Sequence, residues 1–156
     1  MSTPSRIILK VRNEDVGRKV KFDPSKLPTP LEEWYETDEN GRVWLDQRGE
    51  DLCKEVTLKG PYIGIYCHWA GDLNSVGAEL FKNYNNYETA LNLIVGGFCS
   101  GIVCGHVKHY ANRQAALVGG WKGIKPIQGS IKKMRNTLYG QYEYIFDNGT
   151  WKGAAV

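Results

Sequence analysis

The chain of 156 residues predicts an α+β fold: a small antiparallel sheet ending in a C-terminal β-hairpin and covered by two or three helices. Three observations predict it. Short runs rich in β-branched and aromatic residues recur at Ile7 to Val11, Tyr62 to Trp69 and Tyr142 to Phe146, each too short for a stable helix. Helical periodicity is confined to the middle of the chain, where Val76, Leu80, Phe81 and Tyr84, then Tyr87, Ala90, Leu91 and Ile94, recur on one side. Near the end, Asp147-Asn148-Gly149 separates alternating residues from Thr150-Trp151, which is the chemistry of a tight hairpin turn.

Taken in order, Ile7, Ile8, Leu9 and Val11 form the first strand, with Val20 and Phe22 as a continuation beyond the turn-like Asn13 to Gly17. Pro24, Pro28 and Pro30 forbid regular structure between Asp23 and Leu31. A helical turn follows at Leu31 to Tyr35, and Asp38-Glu39-Asn40-Gly41 turns the chain toward Val43, Trp44 and Leu45. Val56, Thr57 and Leu58 make a short strand feeding the one that starts after Gly60-Pro61, and that next strand is expected to be central. Asn74 or Ser75 then caps a first helix ending near Tyr84, and a second is stopped by Gly96-Gly97. Ser130 to Leu138 reads as a short basic helix, with Ile131, Met134 and Leu138 on one side.

The length suits one core, so a single domain over 1–156 is expected, with an acidic insertion at 23–59. No apolar run is long enough to span a bilayer and the start lacks a signal-peptide layout, which points to a soluble protein of the bacterial cytoplasm. Four cysteines at irregular spacing do not make a secreted disulfide framework. The net charge of +3 conceals an asymmetry. Glu32, Glu33, Glu36, Asp38 and Glu39 crowd one segment, whereas no acid at all lies between Glu88 and Glu143, where Lys108, Arg113, Lys122, Lys125, Lys132, Lys133 and Arg135 accumulate.

One stretch has a recognisable form. Tyr66-Cys67-His68-Trp69-Ala70-Gly71-Asp72-Leu73-Asn74-Ser75-Val76-Gly77 resembles the signature Y-x-H-W-D-G-Y-P-x-x-V-G of small proteins encoded by bacteriophages and prophages. The matching positions are Tyr66, His68, Trp69, Gly71, Val76 and Gly77; Ala70 replaces the family's aspartate, and Asp72-Leu73 its Tyr-Pro. The opening MSTPSRI and the closing YEYIFDNGTW resemble the family's two ends. The resemblance implies an accessory protein that acts against host defences, CRISPR nucleases among them. Compared with the family's short gap after its first strand, Asp23 to Lys59 reads as inserted.

Two constellations carry candidate chemistry. Cys99, Cys104, His106 and His109, spaced C-x4-C-x-H-x2-H in a glycine-rich loop, supply the donor types of a structural Zn2+ site, although the spacing matches no common zinc finger and buried thiols with surface imidazoles account for it equally. Cys67 or Cys104 with His68, His106 or His109 is the nucleophilic alternative, which needs a base, an electropositive setting and an oxyanion site. Gly119-Gly120-Trp121-Lys122-Gly123 lacks Walker spacing and marks a bend.

The expected function is non-catalytic: an anti-CRISPR or similar anti-defence protein that binds a Cas effector such as Cas9, or its RNA or DNA complex, and blocks DNA loading or engagement. The partner-binding residues would be Glu32, Glu33, Glu36, Asp38 and Glu39, whose carboxylates mimic phosphate, or Lys122, Lys125, Lys132, Lys133 and Arg135, which neutralise it. The rival readings are a small Cys/His-dependent enzyme or nucleotide-handling protein, and a DNA-binding accessory protein.

Overall fold

The first strand, β1 (Thr3–Lys10), lies at the centre of a five-stranded sheet, and its sequence explains why. Ser5, Arg6, Ile7, Ile8 and Leu9 are all buried, so both faces of the strand are covered and the apolar run is continuous instead of alternating. The computed structural model describes residues 3–23, 26, 55–70, 73–96, 126–137 and 141–155. The strand order is β5-β4-β1-β6-β7, with β4 at Tyr62–Ala70, β5 at Ile127–Gly129, β6 at Tyr142–Asp147 and β7 at Thr150–Ala155. A two-stranded sheet pairs β2 (Lys19–Val20) with β3 (Val56–Thr57). The helices are α1 (Leu73–Asn83), α2 (Tyr87–Gly96) and α3 (Ile131–Thr137).

The α+β class holds, and the first strand, the motif strand and the hairpin do build the sheet. Its pairings are antiparallel except one: β1 runs parallel to β6, with Ile7 opposite Tyr144 and Leu9 opposite Phe146. The motif strand β4 is interior, between β5 and β1, but the centre belongs to β1. Val56–Thr57 is the expected short strand ahead of β4, but it lies in a separate sheet, antiparallel to Lys19–Val20, which is therefore no continuation of β1. The stretch expected as an insertion therefore leaves and re-enters through one ladder. Its departing end is held a second time, because the buried Asn92 of α2 accepts from the Asp23 N–H at 2.8 Å and donates to the Asp23 carbonyl at 2.9 Å.

Alternation along the strands sorts the sheet into two faces. Ile8 packs on Met134 of α3, with Tyr62, Tyr66, Ile127, Ile131 and Ile145 around them. Gly64 of β4 lets α3 come this close: a Cβ there would lie 2.9 Å from the Ile7 carbonyl oxygen and 3.3 Å from the Met134 sulfur. On the opposite face α1 packs against β7, and α2 against β1 and β4. Trp151 of β7 donates its indole N–H to the Tyr84 carbonyl at 2.7 Å, meeting a backbone acceptor at the end of α1 that water no longer reaches.

Two details of α1 depart from expectation. The helix begins at Leu73, ahead of the expected caps Asn74 and Ser75. Phe81 is 49% exposed, while Leu80 and Tyr84 are buried. At about 100° per residue Phe81 lies well to one side of the Leu80–Tyr84 stripe, and the space beneath the helix is taken by Gly77, whose Cβ position is 3.7 Å from the Tyr144 ring. The hairpin follows its turn chemistry: Asn148 and Gly149 take φ of 53° and 80°, the left-handed pair that suits two-residue connections.

Candidate nucleic-acid interface

The face of the sheet shared with α3 is only partly covered, and cations gather on its open part. β1 contributes Arg6 and Lys10, β6 contributes Glu143, Ile145 and Asp147, and β7 contributes Lys152 and Ala154. The register sets Arg6 beside Glu143, Ile8 beside Ile145, and Ile145 beside Lys152. From α3, Arg135 reaches over the same face while Lys132 and Lys133 stay exposed. Lys132, Lys133 and Lys152 form no ion pair among the described residues.

The arginines are differently placed. Arg6 is 3% exposed; its Nη1 donates to the Arg135 carbonyl at 2.9 Å and its Nε lies 3.6 Å from the Glu143 carboxylate. Glu143, itself buried, also accepts from Arg135 Nε and Nη2 at 3.2 and 3.0 Å. This cluster ties the last turn of α3 to β1 and β6, with a cation at the end of the helix where the dipole favours one. The hydrogen bond to Glu143 is the main reason that the Arg135 pKa is raised.

One cleft opens on this face and another at the end of the sheet, where the start of α2 also reaches; they share Lys152. The smaller, about 410 Å³, lies between α3 and the hairpin against Arg135, Glu143, Ile145 and Lys152. The larger, about 880 Å³, lies where β1 and β6 end together, floored by Val11 and Phe146 and edged by Lys10, Arg12, Asn85, Asn148 and Lys152. Because these two strands are parallel, both send their carboxyl ends here. Lys10 is 3.7 Å from Asp147 across the junction, a half-exposed pair that solvent weakens.

Tyr87, the first residue of α2, organises the wall of the larger cleft. The Arg12 guanidinium lies over its ring, 3.8 Å from the centroid, and its hydroxyl oxygen accepts the Arg12 backbone N–H at 3.2 Å. Burial, reinforced by the nearby Asp15 carboxylate, pushes the Tyr87 hydroxyl up to about 12 against the opposing effect of that backbone N–H. The hydroxyl therefore stays neutral. Behind this wall Arg18 grips Glu88 with two hydrogen bonds of 2.8 and 3.1 Å, and that grip is the main reason the Glu88 carboxyl is held below the usual carboxylate range.

Of the residues singled out from the sequence, Lys132, Lys133 and Arg135 stand on α3 beside this face. Tyr66 is half-buried against the Ile8 and Met134 cluster and Gly77 is buried on the side of α1 that faces Tyr144, so both act in packing. His68 and Trp69 belong to β4 and Val76 to α1. The acidic residues Glu32, Glu33, Glu36, Asp38 and Glu39, the cations Lys122 and Lys125, Gly71, and the zinc candidates Cys99, Cys104, His106 and His109 lie outside the described residues. Sequence reasoning missed Lys10, Arg12 and Lys152. Lys10 and Arg12 are near neighbours in the chain, but only the pairing of β1 with β6, and of β6 with β7, brings Lys152 to them.

No helix among the described residues is long and apolar enough to cross a membrane. No family model, curated protein or solved structure matches the chain.

Proposed function

We propose that the protein is a non-enzymatic anti-defence factor of a phage or mobile element, which binds a CRISPR nuclease complex through the nucleic acid that the complex carries. The observation behind this reading is the run of cations from Lys132, Lys133 and Arg135 of α3, across Lys152, to Lys10 and Arg12. A run of exposed cations favours a polyanion, and the free energy of such binding comes largely from displaced counterions. A guide RNA or a displaced DNA strand is such a polyanion. The phage resemblance of the Tyr66 to Gly77 stretch supports the biological setting.

The test is inhibition of target cleavage by a Cas effector, with and without reversal of Lys132, Lys133 and Lys152 to glutamate. Inhibition that weakens with salt and is lost in the triple variant is the expected outcome. Contact of Lys10, Lys132, Lys133 and Lys152 with four phosphates of a single strand would give a slope of log K against log salt of roughly −3. Cleavage unaffected by a molar excess of the wild-type chain would refute the proposal. A zinc staple at Cys99, Cys104, His106 and His109 remains a separate proposal that rests on donor spacing, and elemental analysis of the purified chain tests it.

A further inference from the structure

The larger cleft has features that a plain phosphate-tracking surface does not need. Its Arg12 guanidinium lies over the Tyr87 ring, 3.8 Å from the centroid, and the residue borders the cleft while remaining half-exposed. A planar cation fixed in this way is a ready surface for a second planar group, since nucleobases stack on guanidinium planes as they do on aromatic rings. Lys10 and Lys152 line the same cleft and supply cations for an anionic group attached to that planar group; Asp147 lines it too, half-exposed and 3.7 Å from Lys10. The carboxamides of Asn85 and Asn148 are both exposed on the cleft edge and offer donors and acceptors together, which suits the polar edge of a base. A volume of about 880 Å³ accommodates one nucleotide unit with room to spare.

We propose that this cleft binds a nucleoside phosphate, its base stacked on the Arg12 guanidinium and its phosphate held by Lys152 and by Lys10, which gives up its half-exposed pair with Asp147. The inference deepens the nucleic-acid reading and rests on it. The unit is either a free mononucleotide or one unpaired residue of a strand. A duplex does not fit the arrangement, because its bases already stack on one another and present no face to Arg12.

The test titrates the full chain with AMP, with inorganic phosphate and with a short oligo-dA, by calorimetry, for the wild type and for Arg12→Lys and Lys152→Glu. Thermal unfolding checks that each variant folds. The wild type is expected to bind AMP at least about fivefold more tightly than phosphate, the increment that stacking of one base supplies. Arg12→Lys keeps the charge but loses the plane, so it should bring AMP down to the phosphate level and leave phosphate unchanged. Lys152→Glu should weaken both. Competition identifies the source: oligo-dA tighter than AMP and displaced by it marks a strand residue, whereas AMP at least as tight as oligo-dA marks a free nucleotide. Equal affinity for AMP and phosphate, no binding of AMP, or AMP binding untouched by Arg12→Lys overturns the proposal. AMP binding by a protein that leaves effector cleavage unaffected would remove the anti-defence reading and keep the site.

Discussion

Glu143→Gln isolates the energetic role of the cluster under α3. Its side chain faces two cations in different surroundings: Arg6, 3% exposed, and Arg135, whose side chain is 57% exposed. Glutamine preserves shape and one acceptor oxygen but removes the negative charge beside the Arg6 guanidinium, 3.6 Å away. Breaking a buried ion pair from one side typically costs 3–5 kcal/mol, because the remaining charge stays desolvated. Arg6 keeps its bond to the Arg135 carbonyl, so the lower end applies, about 3 kcal/mol. Arg135→Ala removes only a solvent-screened partner and should cost far less. Urea denaturation at low and high salt separates the two contributions. The Glu143→Gln loss should persist at high salt, where exposed pairs are screened and buried ones are not. If Glu143→Gln costs no more than Arg135→Ala, or if salt abolishes most of the difference, the buried pair does not anchor α3 to the sheet.

Three further outcomes test other parts of the structure. Gly64→Ala should lose about 1–3 kcal/mol in urea denaturation, because the new methyl group meets the Ile7 carbonyl and Met134; an unstrained strand glycine would instead gain stability from the same change. The Tyr87 pKa is raised on folding from 10.0 to about 12, so its contribution is fully present below pH 10 and is lost as pH rises toward 12. That loss amounts to about 2–3 kcal/mol, and alkaline unfolding curves of Tyr87→Phe should lack that part of the decline. Replacing residues 24–54 by a short flexible linker should leave cooperative unfolding in place, since Lys19–Val20 and Val56–Thr57 already pair with each other and Asn92 holds Asp23; loss of the cooperative transition would show that the segment belongs to the core.

How much of this was legible depends on the range of the interaction that fixes each element. The hairpin was readable because Asn148-Gly149 satisfies its left-handed dihedrals locally, and α2 because Tyr87, Ala90, Leu91 and Ile94 carry a helical stripe before Gly96. The short strand Ile127–Gly129 was missed. With one residue pairing each way, three residues have no period to detect, and the Gln128 side chain supplies what the backbone does not, accepting from the Lys59 N–H and donating to the Thr57 carbonyl. The parallel partnership of β1 with β6 was equally invisible: residues 5–9 and 142–146 contain no signal of their mutual direction. The larger cleft depends on that partnership, so Lys10, Arg12 and Lys152 could not have been grouped beforehand. Lys132, Lys133 and Arg135 could, because they share one short helix.

The division of labour between the two basic residue types decides how the binding proposal should be probed. Arg6, Arg18 and Arg135 turn their forked donors on carboxylates or helix carbonyls, and Arg6 and Arg18 join elements distant in sequence. Replacing any of them breaks a contact within the protein, so lost binding would not by itself report contact with a partner. Lys132, Lys133 and Lys152 hold no ion pair among the described residues and remain exposed, as suits compact, strongly hydrated charges. Reversing them should change stability by no more than about 0.5 kcal/mol, the usual range for surface substitutions, while adding repulsion against every phosphate brought near. Arg12 is the exception among the described arginines. Its fork rests on an aromatic ring, with the nearest carboxylate, Glu14, 4.0 Å away and largely exposed, so it can be changed to lysine without orphaning a buried charge. A defect confined to the lysines would make the protein a phosphate reader only, whereas a defect shared with Arg12→Lys would place a base in the cleft.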